Sequence, residues 1–181
     1  MKKLLLSAVI AVFAMSNLNA QEVKFGAKAG VNFASLSGDD VEGFDGRTSF
    51  HVGAVAEIGI SEKFAVQPEL VYSSQGASVG DSNLKMDYIN LPILAKFFVA
   101  EGFSIEAGPQ VGFLISADAE GEDVKDSFKS TDFSGALGLG YKLDSGLNFA
   151  ARYNLGLGNI VDAEGGDVKN NVIQLSVGYM F

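Results

Sequence analysis

The sequence predicts an all-β chain, an eight-stranded antiparallel up-and-down transmembrane β-barrel. Three observations lead to this fold class. The chain begins with an export signal, and its apolar side chains recur at every second position. The last nine residues form an alternating strand that ends on an aromatic side chain, Phe181. Alternation at period two is typical of strands that have one apolar face.

Residues 1–20 have the three parts of a secretory signal peptide. The start is basic at Lys2 and Lys3, an apolar core follows, and the end is rich in small residues. The apolar core is shorter than the about 20 residues that a membrane-spanning helix needs. We therefore expect cleavage after Ala20 and a single barrel domain over 21–181.

The composition excludes several classes of function. The chain has a net charge of −9, which argues against nucleic-acid binding because that function needs a basic face. It has no cysteine, so an exported chain here forgoes disulfides, and a sheet closed on itself can stabilise it instead. Glycines recur at period two on strands, and no helix follows them, so they do not indicate a phosphate-binding loop. We expect no cofactor and no metal.

Eight segments match the template of a half-buried strand. In chain order they are Val23–Leu36, Thr48–Ile60, Phe64–Gln75, Met86–Val99, Phe103–Ala117, Asp132–Leu143, Leu147–Gly158 and Ile173–Phe181. Their connections alternate between tight turns and long polar loops, with the loops predicted at 37–47, 76–85, 118–131 and 159–170. This alternation is typical of an outer-membrane barrel with periplasmic turns and extracellular loops. The acidic loops lack the spacing of a calcium-binding loop, so we expect them to be solvated.

Glycines and charges indicate which face of each strand points inward. Glycine crowds the polar face, as at Gly138 and Gly140, and the narrow lumen of an eight-stranded barrel has room for small side chains. Outward aromatic residues concentrate near both strand ends, which predicts the two girdles of a membrane barrel. The predicted polar network of the lumen consists of Lys28, His51, Glu57, Glu69, Lys96, Glu106 and Arg152.

Two features leave alternatives open. His51, the only histidine, lies beside Ser49 and shares a strand face with Glu57. This set would allow a Ser-His-acid hydrolase acting on lipid A, but its inward direction favours a hydrogen-bond network in the lumen. Pro92 and Pro109 are predicted to lie nearly opposite each other on adjacent strands, and we expect a shared bulge or kink at their level.

One predicted hairpin resembles a known family. Asp87–Phe97 followed by Ile105–Leu114 resembles the central hairpin of the PorT-like outer-membrane β-barrels of Bacteroidetes, often called the porin family. Its Tyr-Ile-Asn-Leu-Pro and Gly-Pro-Gln elements are the most distinctive parts. The resemblance implies an eight-stranded barrel in the outer membrane. It implies no agreed substrate and no catalytic residue.

From these patterns we expect a small, non-enzymatic protein of the Gram-negative outer membrane with a structural or interaction role carried by its extracellular loops. A passive pore for small solutes is the alternative, followed by a lipid-A-modifying enzyme. Expected partners are outer-membrane lipid, lipopolysaccharide and the barrel-assembly machinery, the last through a C-terminal signal at Tyr179 and Phe181. The sequence identifies no extracellular partner and leaves conduction and oligomeric state open.

Overall fold

A computed structural model describes residues 22–38, 41, 43–80, 82–162 and 167–181. The predicted signal peptide, residues 1–20, lies outside the described residues. The elements are β1 (Val23–Gly38), β2 (Asp45–Ser61), β3 (Phe64–Val79), β4 (Ser82–Ala100), β5 (Phe103–Ala119), β6 (Glu122–Asp123), a 3-10 helix (Lys125–Ser127), β7 (Thr131–Lys142), β8 (Leu147–Gly156) and β9 (Val168–Met180). Within the described ranges, no helix has the length and apolarity to cross a membrane.

The eight long strands close into one antiparallel barrel. Each long strand pairs with the next long strand along the chain. β1 then pairs with β9, from Gly26 opposite Met180 to Gly38 opposite Val168, and this pairing closes the sheet. The two-residue β6 pairs only with the end of β5. The predicted eight-stranded antiparallel barrel is confirmed.

Apolar side chains cover the outer wall, and polar side chains fill the inside. Leu137 and Leu175 are 61% and 49% exposed, whereas Glu69 and Arg152 are 5% and 4% exposed. This is the inverse of a water-soluble domain, in which the apolar face is buried. The sequence pattern predicted this orientation because successive side chains of a strand point to opposite faces.

Aromatic side chains of neighbouring strands pack together near both ends of the barrel. Phe64 and Phe97 lie beside the short turns with their ring centroids 4.8 Å apart. Phe50 and Tyr72 lie toward the long loops with their centroids 5.8 Å apart. Aromatic rings at both membrane–water interfaces are a general property of transmembrane barrels.

The strands extend farther at the end of the long loops, the predicted extracellular end, than the sequence predicted. β3 and β4 continue to Val79 and Ser82, which pair with each other, so the predicted loop at 76–85 is wrong. The chain turns at Gly80, whose φ of +57° suits glycine. β9 likewise begins at Val168, inside the loop that the sequence predicted at 159–170. Outside the membrane no lipid faces the outer side chains, so the apolar alternation ends while the backbone groups still need their ladder partners.

The prolines interrupt the ladder without shifting its register. Pro92 pairs with Gln110 and Ala95 pairs with Ala107, which is the same register on both sides of the gap. The bulge predicted at the level of Pro92 and Pro109 is therefore absent, and that part of the prediction is wrong. Proline removes one hydrogen-bond donor from the ladder but inserts no extra residue, so the register of the two strands does not change.

Candidate functional site: a filled lumen

Seven charged side chains form one alternating chain of ion pairs across the periplasmic half of the lumen. In order they are Lys28, Glu69, Arg152, Glu106, Lys96, Glu57 and Lys142, and the successive nitrogen–oxygen distances are 2.9, 2.9, 3.0, 3.4, 2.9 and 2.7 Å. They come from β1, β3, β8, β5, β4, β2 and β7, so this ion-pair chain joins every long strand except β9. All members are buried except Lys142, whose side chain is 24% exposed.

Arg152 is the centre of the ion-pair chain. Its Nη1 and Nη2 donate to Oε2 and Oε1 of Glu69 at 2.9 Å each, and Nη2 also donates to Glu106 at 3.0 Å. A planar guanidinium matches a carboxylate in this two-bond geometry. Gln67 connects two parts of the chain, because its Nε2 donates to Glu69 at 2.7 Å and its Oε1 accepts from Lys96 Nζ at 3.0 Å.

Little free space remains among these side chains. The cavity lined by Lys28, Lys96, Arg152 and their neighbours has a volume of about 30 Å³, which leaves room for only a few water molecules. The ring of Phe98 lies 5.7 Å from Lys96 Nζ and 5.5 Å from Lys142 Nζ. At these distances an aromatic face attracts an ammonium group, so Phe98 adds a further contact at the periplasmic end.

Hydrogen bonds between uncharged side chains surround His51 in the extracellular half of the lumen. His51 Nδ1 donates to Asn32 Oδ1 at 2.8 Å, and Ser176 Oγ donates to His51 Nε2 at 2.8 Å. Asn32 sets these roles, because its Nδ2 donates to the Ser74 carbonyl at 2.7 Å and its oxygen can only accept. Gly30 lies between His51 and Ser176 on the strand that separates them. A side-chain carbon there would come within 2.7 Å of the imidazole, so glycine permits the bond.

An apolar cluster covers the extracellular end of the lumen. Its buried members are Met86, Tyr88, Leu114, Ala117 and Ile160. Ile160 lies in the segment after β8. Backbone hydrogen bonds join that segment to the one before β7. The Lys129 N–H donates to the Ile160 carbonyl at 2.8 Å, and the Asp162 N–H donates to the Ser127 carbonyl at 3.2 Å. These two segments form a cap over the polar interior.

The structure places all seven predicted lumen residues inside the barrel and joins six of them in the ion-pair chain. His51 stands apart in the uncharged network. Its predicted neighbour Ser49 is not its partner, because Ser49 Oγ donates to a backbone carbonyl of β3 and Ser176 bonds the imidazole. Sequence reasoning missed Lys142, although its even-numbered position on β7 shares the lumen face. The functional role of the network stays a prediction.

The predicted assembly signal lies on the outer face at the periplasmic end. The rings of Tyr179 and Phe181 are 5.7 Å apart, and both side chains are exposed. The Phe181 N–H donates to the Phe25 carbonyl at 2.8 Å, so the end of the chain is held against β1. Recognition of these residues by assembly machinery stays a prediction.

The chain matches one protein family along nearly its whole length. The family model "Outer membrane protein beta-barrel domain" matches residues 5–181. Two solved barrels have a similar fold: the attachment invasion locus protein Ail of Yersinia pestis in complex with the heparin analogue sucrose octasulfate, and Neisserial surface protein A. Each is 16% identical over 88% of this chain and 99% of the other, with TM-scores of 0.56 and 0.58. The similarity at this identity is one of fold. No curated protein matches the chain.

Proposed function

Since this chain belongs to the outer membrane protein β-barrel domain family, we propose that it is a closed, non-enzymatic barrel that works through its extracellular rim. Membership of the family points to the outer membrane of a Gram-negative bacterium. The ion-pair chain carries the proposal. An eight-stranded barrel has a lumen only wide enough for side chains to fill, and charged side chains from seven strands meet there.

A passive pore would need an open path through these charges. The free volume among them is about 30 Å³, and a solute would have to separate pairs such as Arg152 and Glu69 at 2.9 Å. Separating buried partners leaves uncompensated charge in a medium that solvates it poorly, at a cost of several kcal/mol. The cap over the extracellular end would have to open as well.

Planar-bilayer recording tests whether the barrel is closed. We expect no discrete conductance from the wild-type protein and small steps from the double variant Arg152→Ala, Glu69→Ala, which removes the centre of the ion-pair chain without adding net charge. Leu137→Ala on the outer wall is the matched control and should stay silent. Discrete steps from the wild-type barrel would contradict closure and favour the pore.

A lipid-A-modifying enzyme would need a nucleophile and a base that reach lipid. His51 is fully buried, and its serine partner Ser176 is 8% exposed inside the barrel. The pair therefore supports a role in holding strands together rather than in hydrolysis. The lipid A mass spectrum of cells that lack the protein should equal that of the wild type. A changed spectrum that His51→Ala reproduces would contradict this assignment.

The extracellular rim carries an acidic excess. Five carboxylates lie on the segment around β6 and the 3-10 helix, and the basic residues there are Lys125 and Lys129. We therefore expect a partner with cationic or neutral polar groups rather than a sulfated glycan of the kind represented by the heparin analogue in the Ail complex. Vesicles that carry the barrel should pass a heparin column like empty vesicles. Their retention would overturn this expectation.

The two chain ends direct export and assembly in this proposal. Cleavage after Ala20 predicts a mature N-terminus at Gln21, which Edman sequencing of the outer-membrane form would test. The exposed Tyr179 and Phe181 at the end of the closing strand support recognition by the barrel-assembly machinery. Deleting Phe181 should lower the amount of assembled barrel, whereas Phe25→Leu should not. Equal amounts of assembled barrel after the deletion would argue against the signal.

A further inference from the structure

One arginine of the barrel has no carboxylate partner in the described part of the chain. The sequence contains two arginines, Arg47 and Arg152, and Arg152 is paired with Glu69 and Glu106 in the ion-pair chain. Arg47 appears in none of the ion pairs formed by the described residues, and it is half-buried. A guanidinium that its own chain does not neutralise is suited to binding an anion from outside.

A break in the backbone ladder holds Arg47 in place. The regular pairing of β2 with β3 is lost between Gly46 and His51, where the register shifts. Within this break Arg47 Nη1 donates to the Gln75 carbonyl at 2.8 Å and to Ser74 Oγ at 3.2 Å. One terminal nitrogen therefore makes both of these bonds. Nε and Nη2, which lie along one edge of the planar group, remain available to a ligand.

The break lies directly beyond the aromatic girdle at the end of the long loops. The rings of Phe50 and Tyr72, 5.8 Å apart, border it on the membrane side. Tyr72 interacts electrostatically with Arg47 and Lys85, and also with Asp87. Lys85 pairs with Asp87 at 3.1 Å, and the lysine side chain is 47% exposed whereas the aspartate side chain is 9% exposed. The exposed charge of this surface is therefore cationic, and its carboxylate is buried.

The cationic surface is confined to one side of the barrel. Asp118, which lies opposite Lys85 on β5, forms no ion pair in the ranges that the structure covers, and its carboxylate accepts the Gly121 N–H at 2.9 Å. Neutral residues occupy the corresponding positions beyond the girdle on other strands: Ser35 on β1, Thr131 on β7 and Asn171 on β9.

We propose that Arg47 and Lys85 form a phosphate site that binds the headgroup of an outer-leaflet lipid. The inference rests on the outer-membrane location in the proposed function. Beyond the aromatic girdle, lipid headgroups surround a barrel of this kind. A guanidinium edge gives a phosphate two parallel hydrogen bonds, and an ammonium adds a point charge. Because Phe50 and Tyr72 border the site on the membrane side, the occupant is a lipid rather than a soluble anion.

Native mass spectrometry of the folded barrel in neutral detergent tests the site. The probe is lipid A that carries two phosphates, and the comparison is the same lipid after enzymatic removal of both. We expect the wild type to bind one phosphorylated lipid at least about tenfold more tightly than the dephosphorylated lipid, since a hydrogen bond to a charged group contributes that much. Arg47→Gln should lose most of this preference. Lys63→Gln removes the same charge from an exposed position in the turn after β2, at the opposite end of the barrel, and should bind like the wild type.

Two further variants separate binding from folding. Asp87→Asn removes the carboxylate that competes for Lys85, so it should tighten binding, which a loss of stability would not do. Lys85→Gln should weaken binding, and it decides the matter if Arg47→Gln does not fold. Equal affinity for the two lipids would overturn the proposal, as would wild-type binding by Arg47→Gln or release of the lipid by an equal concentration of inorganic phosphate. None of these variants alters the ion-pair chain, so bilayer recording tests closure of the barrel independently of this result.

Discussion

Glu69→Gln removes the carboxylate that two buried cations share. Lys28 Nζ donates to it at 2.9 Å, and both terminal nitrogens of Arg152 donate to it at 2.9 Å. Arg152 keeps Glu106 as a partner at 3.0 Å, but the one ion pair that Lys28 makes among the described residues is lost. Glutamine preserves the volume, so the change leaves about one uncompensated buried charge. Breaking a buried pair in this way costs about 3–5 kcal/mol.

The free energy of unfolding is measured by reversible urea titration in vesicles, followed by circular dichroism because the chain has no tryptophan. Glu22→Gln is the control, since its pair with Lys24 at 3.2 Å is between exposed side chains and should contribute at most about 1 kcal/mol. The double variant Lys28→Met, Glu69→Gln should be more stable than Glu69→Gln alone. Equal, small losses for Glu69→Gln and Glu22→Gln would refute the reasoning.

Other regions of the barrel have their own expected outcomes in the same titration. Gly30→Ala should destabilise by about 1–3 kcal/mol because the new carbon would overlap the Leu175 carbonyl oxygen and lie 2.7 Å from His51. Gly135→Ala, with its nearest neighbour at 3.8 Å, should be nearly neutral. Leu137→Arg puts a charge midway along the outer face of β7 and should cost about 2–4 kcal/mol. Ile160→Ala should cost about 2–5 kcal/mol and speed protease cleavage at the cap. Unchanged cleavage would argue against the cap.

The strands could be predicted because lipid and lumen impose opposite requirements on alternate residues. This contrast exists only within the membrane, which is why strand positions there were correct and the extracellular ends were not. Residues such as Ser78 and Asn83 pair across β3 and β4, yet both are polar and lie where water faces the sheet. Nothing in their side chains distinguishes a continued strand from a loop.

The inward side chains could also be predicted, but their partners could not. Parity along a strand places Lys28 and Glu69 in the lumen, whereas their contact depends on how β1 and β3 are staggered across an intervening strand. The same limit explains the error at His51. Ser49 is near it in sequence, while Ser176 reaches it across Gly30 only once β1 has paired with both β2 and β9. Register, which single-strand patterns do not contain, decides these contacts.

The order of charges along the ion-pair chain explains how a membrane-embedded lumen tolerates them. From Lys28 to Glu57 three cations alternate with three carboxylates, so this stretch is neutral and every anion lies between two cations. Lys142 is the seventh member and carries the one surplus charge. It is also the most exposed member, at 24%, and lines the cavity of about 560 Å³ at the periplasmic end. The unbalanced charge therefore lies where water reaches it, and burial is confined to the neutral part.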